Sequence, residues 1–343
     1  MAKLEKTYLS LTDVNVLKGF SLILLLVHHL FSKNTGNFDD ISIGGLEIVT
    51  TIAQISNICV AIFVLLSGYG LTRKWEISGI ADNLGKYYKQ RYVKLLFNFW
   101  FIWVLFVGVE LLMGGRTFVD VYHHNVAGKA LLDFFGLSYL FGFYGYNPTW
   151  WFMSLIIILY ALFPFLYRMA KQYMPILLLL SATISLLPFD VIGYMQCYLF
   201  SFCCGISMAI IGNCRKLDSN KLIHGGVLLV IIIVGIIDRK CSSANHIFYD
   251  GLVAIATVML YQLCILPRFI SISLEFMGKH SMNVFLFHTF IFSYWFKEFI
   301  YCTRNPFLIF CLLMGLCLTI SLVIERMKKW IGFNKLIKAI INR

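Results

Sequence analysis

Charge is what this sequence has least of. Asp, Glu, Lys and Arg make up 13% of its 343 residues against 59% hydrophobic, and the mean hydropathy is +0.79. That is too little charge to coat an ordinary water-soluble domain, and the chain reads as a polytopic membrane protein. Several other features are missing. There is no signal-peptide pattern with a small-residue cleavage site, so the first apolar segment, which holds a lysine and two histidines, reads as a retained helix. There is no internal repeat, low-complexity tract or polar stretch long enough to link a second domain. The ten cysteines follow no disulfide spacing and fall mostly in apolar segments, where cysteine behaves as a small hydrophobe. No metal site is expected, because the His123-His124 pair lacks partners at ligand spacing.

What is present is a series of apolar runs. A spanning helix needs about 20 mostly apolar residues, and such runs lie near 14–32, 48–71, 92–113, 149–168, 174–190, 192–212, 222–237, 247–267, 281–300 and 306–325. The net charge of +12 need not mean nucleic acid. With the N-terminus inside, 22 of the 29 Lys and Arg residues fall in inner segments and 7 in outer ones, the asymmetry of the positive-inside rule. The expected fold is all-α: a multi-pass membrane bundle of about ten helices with both termini cytoplasmic. Residues 1–325 form the membrane domain and 326–343 a basic amphipathic tail on the inner surface. The aromatic, glycine-rich stretch 130–146 reads as re-entrant or interfacial, because non-helical backbone at depth needs protein cover.

Lys18 and His29 are the pair most open to a chemical reading. Eleven positions make almost three helical turns, so they share one face, roughly 16 Å apart along the axis at ~1.5 Å per residue. Ionisable groups within a spanning helix usually face a cavity or the bundle interior. His29 can serve as a general base or form a helix–helix hydrogen bond, and the residues alone favour neither. Lys18 lies near a helix end, and snorkelling to the headgroups is the plainer account of it.

The segment around Ser67, Tyr69 and Arg73 reads as a polar break ending the second helix. Beyond it, Lys86 and Lys89 look like ordinary inner-surface charge. Arg91 and Lys94, three apart on one face where a helix enters the bilayer, could hold phosphates. Asn147, Trp150 and Trp151 open a helix on the outer side, either as belt residues, the plainer reading, or as a sugar platform. His288 is a second intramembrane histidine, structural or functional.

Taken in order, these pieces resemble the acyltransferase-3 family of bacterial integral-membrane O-acyltransferases, in its stand-alone membrane form. The resemblance rests on Lys18 and His29 with ten positions between them, and on Phe63 leading to Ser67-Gly68-Tyr69. It continues through Arg91 and Lys94, Trp150-Trp151, and Gly278-Lys279-His280-Ser281 running on to His288. It covers residues from about 10 to 325. Lysines stand at 18 and 94 where the family more often has arginines, which keeps charge but loses bidentate geometry.

The resemblance implies transfer of an acyl group, most often acetyl from acetyl-coenzyme A, to a hydroxyl of an envelope, capsular or other exported carbohydrate at the bacterial plasma membrane. It implies His29 as base or nucleophile, and Lys18, Arg73, Arg91 and Lys94 on the acyl-CoA. Ser67, Tyr69, Asn147, Trp150, Trp151 and His288 would support catalysis or the acceptor. The expected partners are a polysaccharide or lipid-linked sugar and membrane lipid, without nucleic acid. The rival reading is a transporter or flippase for a lipid-linked saccharide, against which stands the lack of repeated halves.

Overall fold

The computed structural model describes residues 8–78, 83–187, 195–212, 221–241 and 246–342. In chain order its helices are α1 (Leu11–Phe31), α2 (Ile48–Ile55), α3 (Cys59–Ser78), α4 (Leu84–Leu112), α5 (Phe118–Tyr122), α6 (Val126–Phe134) and α7 (Trp151–Leu186). They continue with α8 (Leu199–Ile211), α9 (Lys221–Cys241), α10 (His246–Leu263), α11 (Arg268–Thr289), α12 (Lys297–Tyr301), α13 (Pro306–Trp330) and α14 (Phe333–Asn342). Among the described residues, strand is confined to a hairpin of Ser42–Ile43 with Leu46–Glu47. Its Gly44-Gly45 turn has φ of +59° and +80°, the twist that two-residue hairpins favour. Among the described residues, five stretches are long and apolar enough to cross a membrane: Leu11–Phe31, Ile48–Ser78, Leu84–Leu112, Pro148–Leu186 and Pro306–Trp330. Shorter apolar helices lie at Gln196–Ile211, Gly225–Gly235 and Tyr249–Leu263. The fold is all-α and built for lipid, as the composition suggests.

Several boundaries differ from the apolar runs, three of them with a clear physical reason. The helix through Ser67 does not break there but continues to Ser78. The Ser67 and Thr72 hydroxyls turn back onto the Phe63 and Gly68 carbonyls, each at 2.9 Å, so they do not compete with the helix. Runs 149–168 and 174–190 are the two arms of α7, joined at Tyr173, whose φ −140°, ψ 51° are not helical. Pro175 follows two residues later; it has no N–H for the Lys171 carbonyl and its ring crowds that group. The run at 281–300 belongs to a helix that starts at Arg268. Its first turns are amphipathic and carry a Glu275–Lys279 ion pair at 2.8 Å, so apolarity alone misses them. The run's other end is π-helical over Phe290–Trp295 and breaks at Phe296. Residues 188–190, in the run at 174–190, and 192–194, in the run at 192–212, lie outside the described residues.

The chain divides into two compact units. The first comprises residues 1–34, 40–79 and 163–281, and two close helix crossings organise it. Where α1 crosses α11, a Cβ at Gly19 would collide with the Leu274 carbonyl, and one at Gly278 with the Asn15 carbonyl. Where α3 crosses α8, Gly68 faces the Phe202 carbonyl and Gly205 the Leu65 carbonyl in the same way. Small residues that let backbones touch are the usual device where lipid supplies no hydrophobic drive. A capping box of Ser10 and Asp13 starts α1, and Asp13 also accepts from the Tyr261 hydroxyl at 2.7 Å.

The second unit comprises residues 35–39, 80–162 and 282–343. Tyr87, Tyr88 and Tyr92 of α4 donate their hydroxyls to the Tyr160, Ala161 and Ile157 carbonyls of α7, at 3.0, 3.0 and 2.8 Å. Pro164 removes the N–H that the Tyr160 carbonyl would otherwise accept, and Tyr87 supplies the replacement.

Residues 130–146 fold around Asp133, a fully buried carboxylate. Its Oδ2 accepts from the Tyr122 hydroxyl at 2.7 Å and the Tyr146 N–H at 2.9 Å. Burial pushes this carboxyl above its ordinary value, and those hydrogen bonds offset part of the rise.

The tail does more than lie on a surface. After a turn at Gly332 (φ +66°), α14 buries Phe333 and Ile337. The Phe333 ring packs edge-on against Phe101 of α4 at 5.6 Å, while Trp330, Ile331 and Leu336 stay exposed.

Candidate functional site

In the first unit Lys18 and His29 both lie on α1, which is unbroken from Leu11 to Phe31, so the shared face holds. Both side chains are half-buried. The neighbouring His28 is committed differently, with Nδ1 lying 2.9 Å from the Ala53 carbonyl. A carbonyl only accepts, so this nitrogen carries the proton and His28 ties α1 to α2. The His28 and His29 rings meet edge to face at 5.3 Å. Adjacent histidines thus have separate surroundings, which their sequence positions do not reveal.

Ser67 spends its hydroxyl proton on its own helix. The Tyr69 hydroxyl accepts from the Leu9 N–H at 2.8 Å and donates to the Leu9 carbonyl at 3.0 Å, anchoring the segment that leads into α1. Arg73 lies 3.5 Å from Glu76. That carboxylate also takes Lys171 at 3.0 Å and the Tyr167 hydroxyl at 3.3 Å. The C-terminal end of α3 therefore gathers two cations around one carboxylate, a centre the count of basic residues passed over.

In the second unit Arg91 is half-buried beside Tyr87 and Tyr160, and Lys94 is exposed one turn further along. Asn147 and Trp150 converge on a single acceptor, the Leu286 carbonyl of α11, at 3.2 and 2.8 Å. Both are fully buried, so the belt reading does not describe Trp150. It packs edge-on against Phe99 at 5.1 Å, with its indole N–H inside the protein. Trp151 is half-buried against Tyr139, ring centres 6.0 Å apart. His288, two residues beyond Leu286, is fully buried. Its Nδ1 sits 3.0 Å from both the Val284 and Phe285 carbonyls, which fixes the proton on Nδ1 and makes Nε2 the basic nitrogen.

Glu110 and Lys328, both buried, also escape a reading based on motifs. Glu110, near the end of the apolar run at 92–113, accepts from the Arg116 Nε–H at 3.1 Å and from the Trp295 indole N–H. The Arg116 guanidinium lies 3.5 Å over the Tyr294 ring. A lone carboxylate in such a run was the available signal. Lys328, counted with the basic tail, turns inward to Asn98, Asn283 and Glu325.

The elements that carry these residues can be set against known proteins. No curated protein and no solved structure matches the chain. A family model described as an acyltransferase domain matches residues 11–326, nearly the whole span from the start of α1 into α13. The chain belongs to the acyltransferase-3 family of membrane acyltransferases.

Proposed function

We propose that this protein moves an acetyl group from cytosolic acetyl-coenzyme A to a hydroxyl of an exported carbohydrate, in a bacterial plasma membrane with both termini inside. The observation that carries the proposal is the pair on α1. An imidazole and a lysine lie on one face of an unbroken helix, separated by about half the apolar thickness of a bilayer. An extended pantetheine arm, roughly 15–20 Å long, is comparable to the ~16 Å that helix rise puts between them. His28 Nδ1 is bonded to the Ala53 carbonyl, and the family resemblance gives the chemistry to His29.

In this account Arg91, Lys94 and Arg73 hold the nucleotide phosphates at the inner face, and Lys18 steers the entrance. His29 removes the proton from the acceptor hydroxyl as its oxygen attacks the thioester carbonyl. The C–S bond then breaks, the ester forms, and the proton passes to the departing thiolate. Asn147 and Trp150 hold the backbone that bears His288 through the Leu286 carbonyl, while Trp151 contributes an aromatic face on the acceptor side. Ser67 turns its hydroxyl back into α3, and Tyr69 ties α3 to the segment that leads into α1.

The test is mass spectrometry of the envelope glycans with and without the gene. Loss of acetyl ester at unchanged glycan amount is the expected result. A change in how much glycan reaches the surface, with ester content intact, would identify a flippase instead.

A further inference from the structure

We propose that Lys328 is a positioning residue for the acyl donor, its buried ammonium setting the rotation of the α4 face that carries Arg91 and Lys94. This rests on the donor-binding role given to those two residues above. Lys328 is 5% exposed, although it lies in the last turn of α13 between residues that reach the surface. Its three protons have three acceptors: Asn98 Oδ1 at 3.0 Å, Asn283 Oδ1 at 3.0 Å and Glu325 Oε1 at 2.9 Å. Asn283 in turn spends both amide protons, on Ser321 Oγ at 3.0 Å and Glu325 Oε1 at 2.9 Å. The rings of Phe101 and Phe333 flank the ammonium, each 5.7 Å away.

An ammonium buried among helices is unfavourable unless every proton is taken, and a fully connected cluster of this kind accepts one geometry. General inner-surface charge would not need it; the adjacent Lys329 is exposed and serves that purpose. What the cluster registers follows from the spacing on α4. At about 100° per residue, Arg91 is seven positions before Asn98 and Lys94 four, so both ride within about 40° of it. The Asn98 amide also donates to the Lys94 carbonyl at 2.7 Å. With side chains about 5–6 Å from the axis, a 20° turn of α4 would displace these cations by about 2 Å. That is enough to break a phosphate hydrogen bond. Lys328 touches no reacting atom; it acts through Asn98 on the cations.

The test uses the full-length protein in lipid nanodiscs, with coenzyme A itself as the binding probe. Lys328→Met should weaken CoA binding roughly ten- to a hundredfold, the loss of one or two charge-assisted contacts, whereas Lys329→Met, at the adjacent exposed lysine, should not. Lys328→Met combined with Asn98→Leu removes one of the three stranded acceptors and recovers part of the thermal stability, yet the binding defect should persist. Wild-type CoA affinity in that double variant would overturn the proposal by reducing Lys328 to a stability role. A second measurement does not depend on the donor. In a background whose native cysteines are replaced, spin labels placed through Lys94→Cys and Lys329→Cys should give a narrow distance distribution that broadens when Lys328→Met is added. An unchanged distribution would also overturn the proposal. Failure of the wild-type protein to bind CoA would instead count against the donor assignment, with the spin-label result still deciding the role of Lys328.

Discussion

Replacing Gly278 with alanine tests whether the α1–α11 crossing is as tight as the geometry requires. In an open helix the change should stabilise by ~0.8–1 kcal/mol, since glycine is the poorer helix former. At Gly278 a Cβ would instead meet the Asn15 carbonyl carbon at 2.8 Å and the Gly19 backbone nitrogen at 3.0 Å, well inside the ~3.5 Å at which nonbonded atoms rest. Both obstacles are backbone, which cannot swing away, so overpacking of about 1–3 kcal/mol or more applies. The same substitution at Gly315 in α13, where nothing lies within 4 Å, is the internal control. Gly278→Ala should lower the thermal midpoint and Gly315→Ala should raise or keep it, a difference of about 2–4 kcal/mol. Thermal unfolding of both variants in one detergent, followed by tryptophan fluorescence, reads the difference. Shifts of the same sign and size would refute the crossing. Because Lys18 follows Asn15 by one turn, Gly278→Ala should also depress acyl transfer.

Lys18→Arg should retain more acyl-transfer activity than Lys18→Ala; equal losses would remove any charge-based role for that position. Burial holds the Asp133 carboxyl above its ordinary value, so the folded state keeps its proton where the unfolded state has released it. Its stabilising contribution is therefore fully present below the unfolded value of ~3.9 and is lost as pH rises toward the raised folded value. Asp133→Asn should flatten that decline in a melting series from acid to neutral pH, and parallel slopes for variant and wild type would contradict it. Tyr87→Phe strands the Tyr160 carbonyl and should destabilise by about 1–3 kcal/mol. Adding Pro164→Ala, which restores the helical N–H, should recover part of the loss, and simple additivity of the two would count against the pairing.

How much of this was legible in the sequence depends on which physical quantity fixed each feature. Apolar runs and basic asymmetry reveal lipid-facing length, so α1, α3, α4 and α13 were visible. They are blind to helical turns that are amphipathic, hence the late start assigned to α11, and to hydroxyls that bond within their own helix, hence the false break at Ser67. Among the candidate site residues, Lys18 and His29 could be put on one face because both lie in one helix, where periodicity is enough. The roles of Gly19, Gly68, Gly205 and Gly278 depend on a second helix that sequence spacing does not supply. The same holds for Lys328, whose neighbours Asn98 and Asn283 are hundreds of positions away from it or nearly fifty. Its place in a basic tail pointed the wrong way.

The proposal that His29 rather than His28 performs the chemistry is tested most directly by measuring acetyl ester on the exported carbohydrate in cells carrying His29→Ala or His28→Ala, with each variant confirmed in the membrane at normal abundance. His28→Ala, which loses the bond to Ala53, should keep measurable acetylation, and His29→Ala should have none. Acetylation retained in His29→Ala would contradict the account.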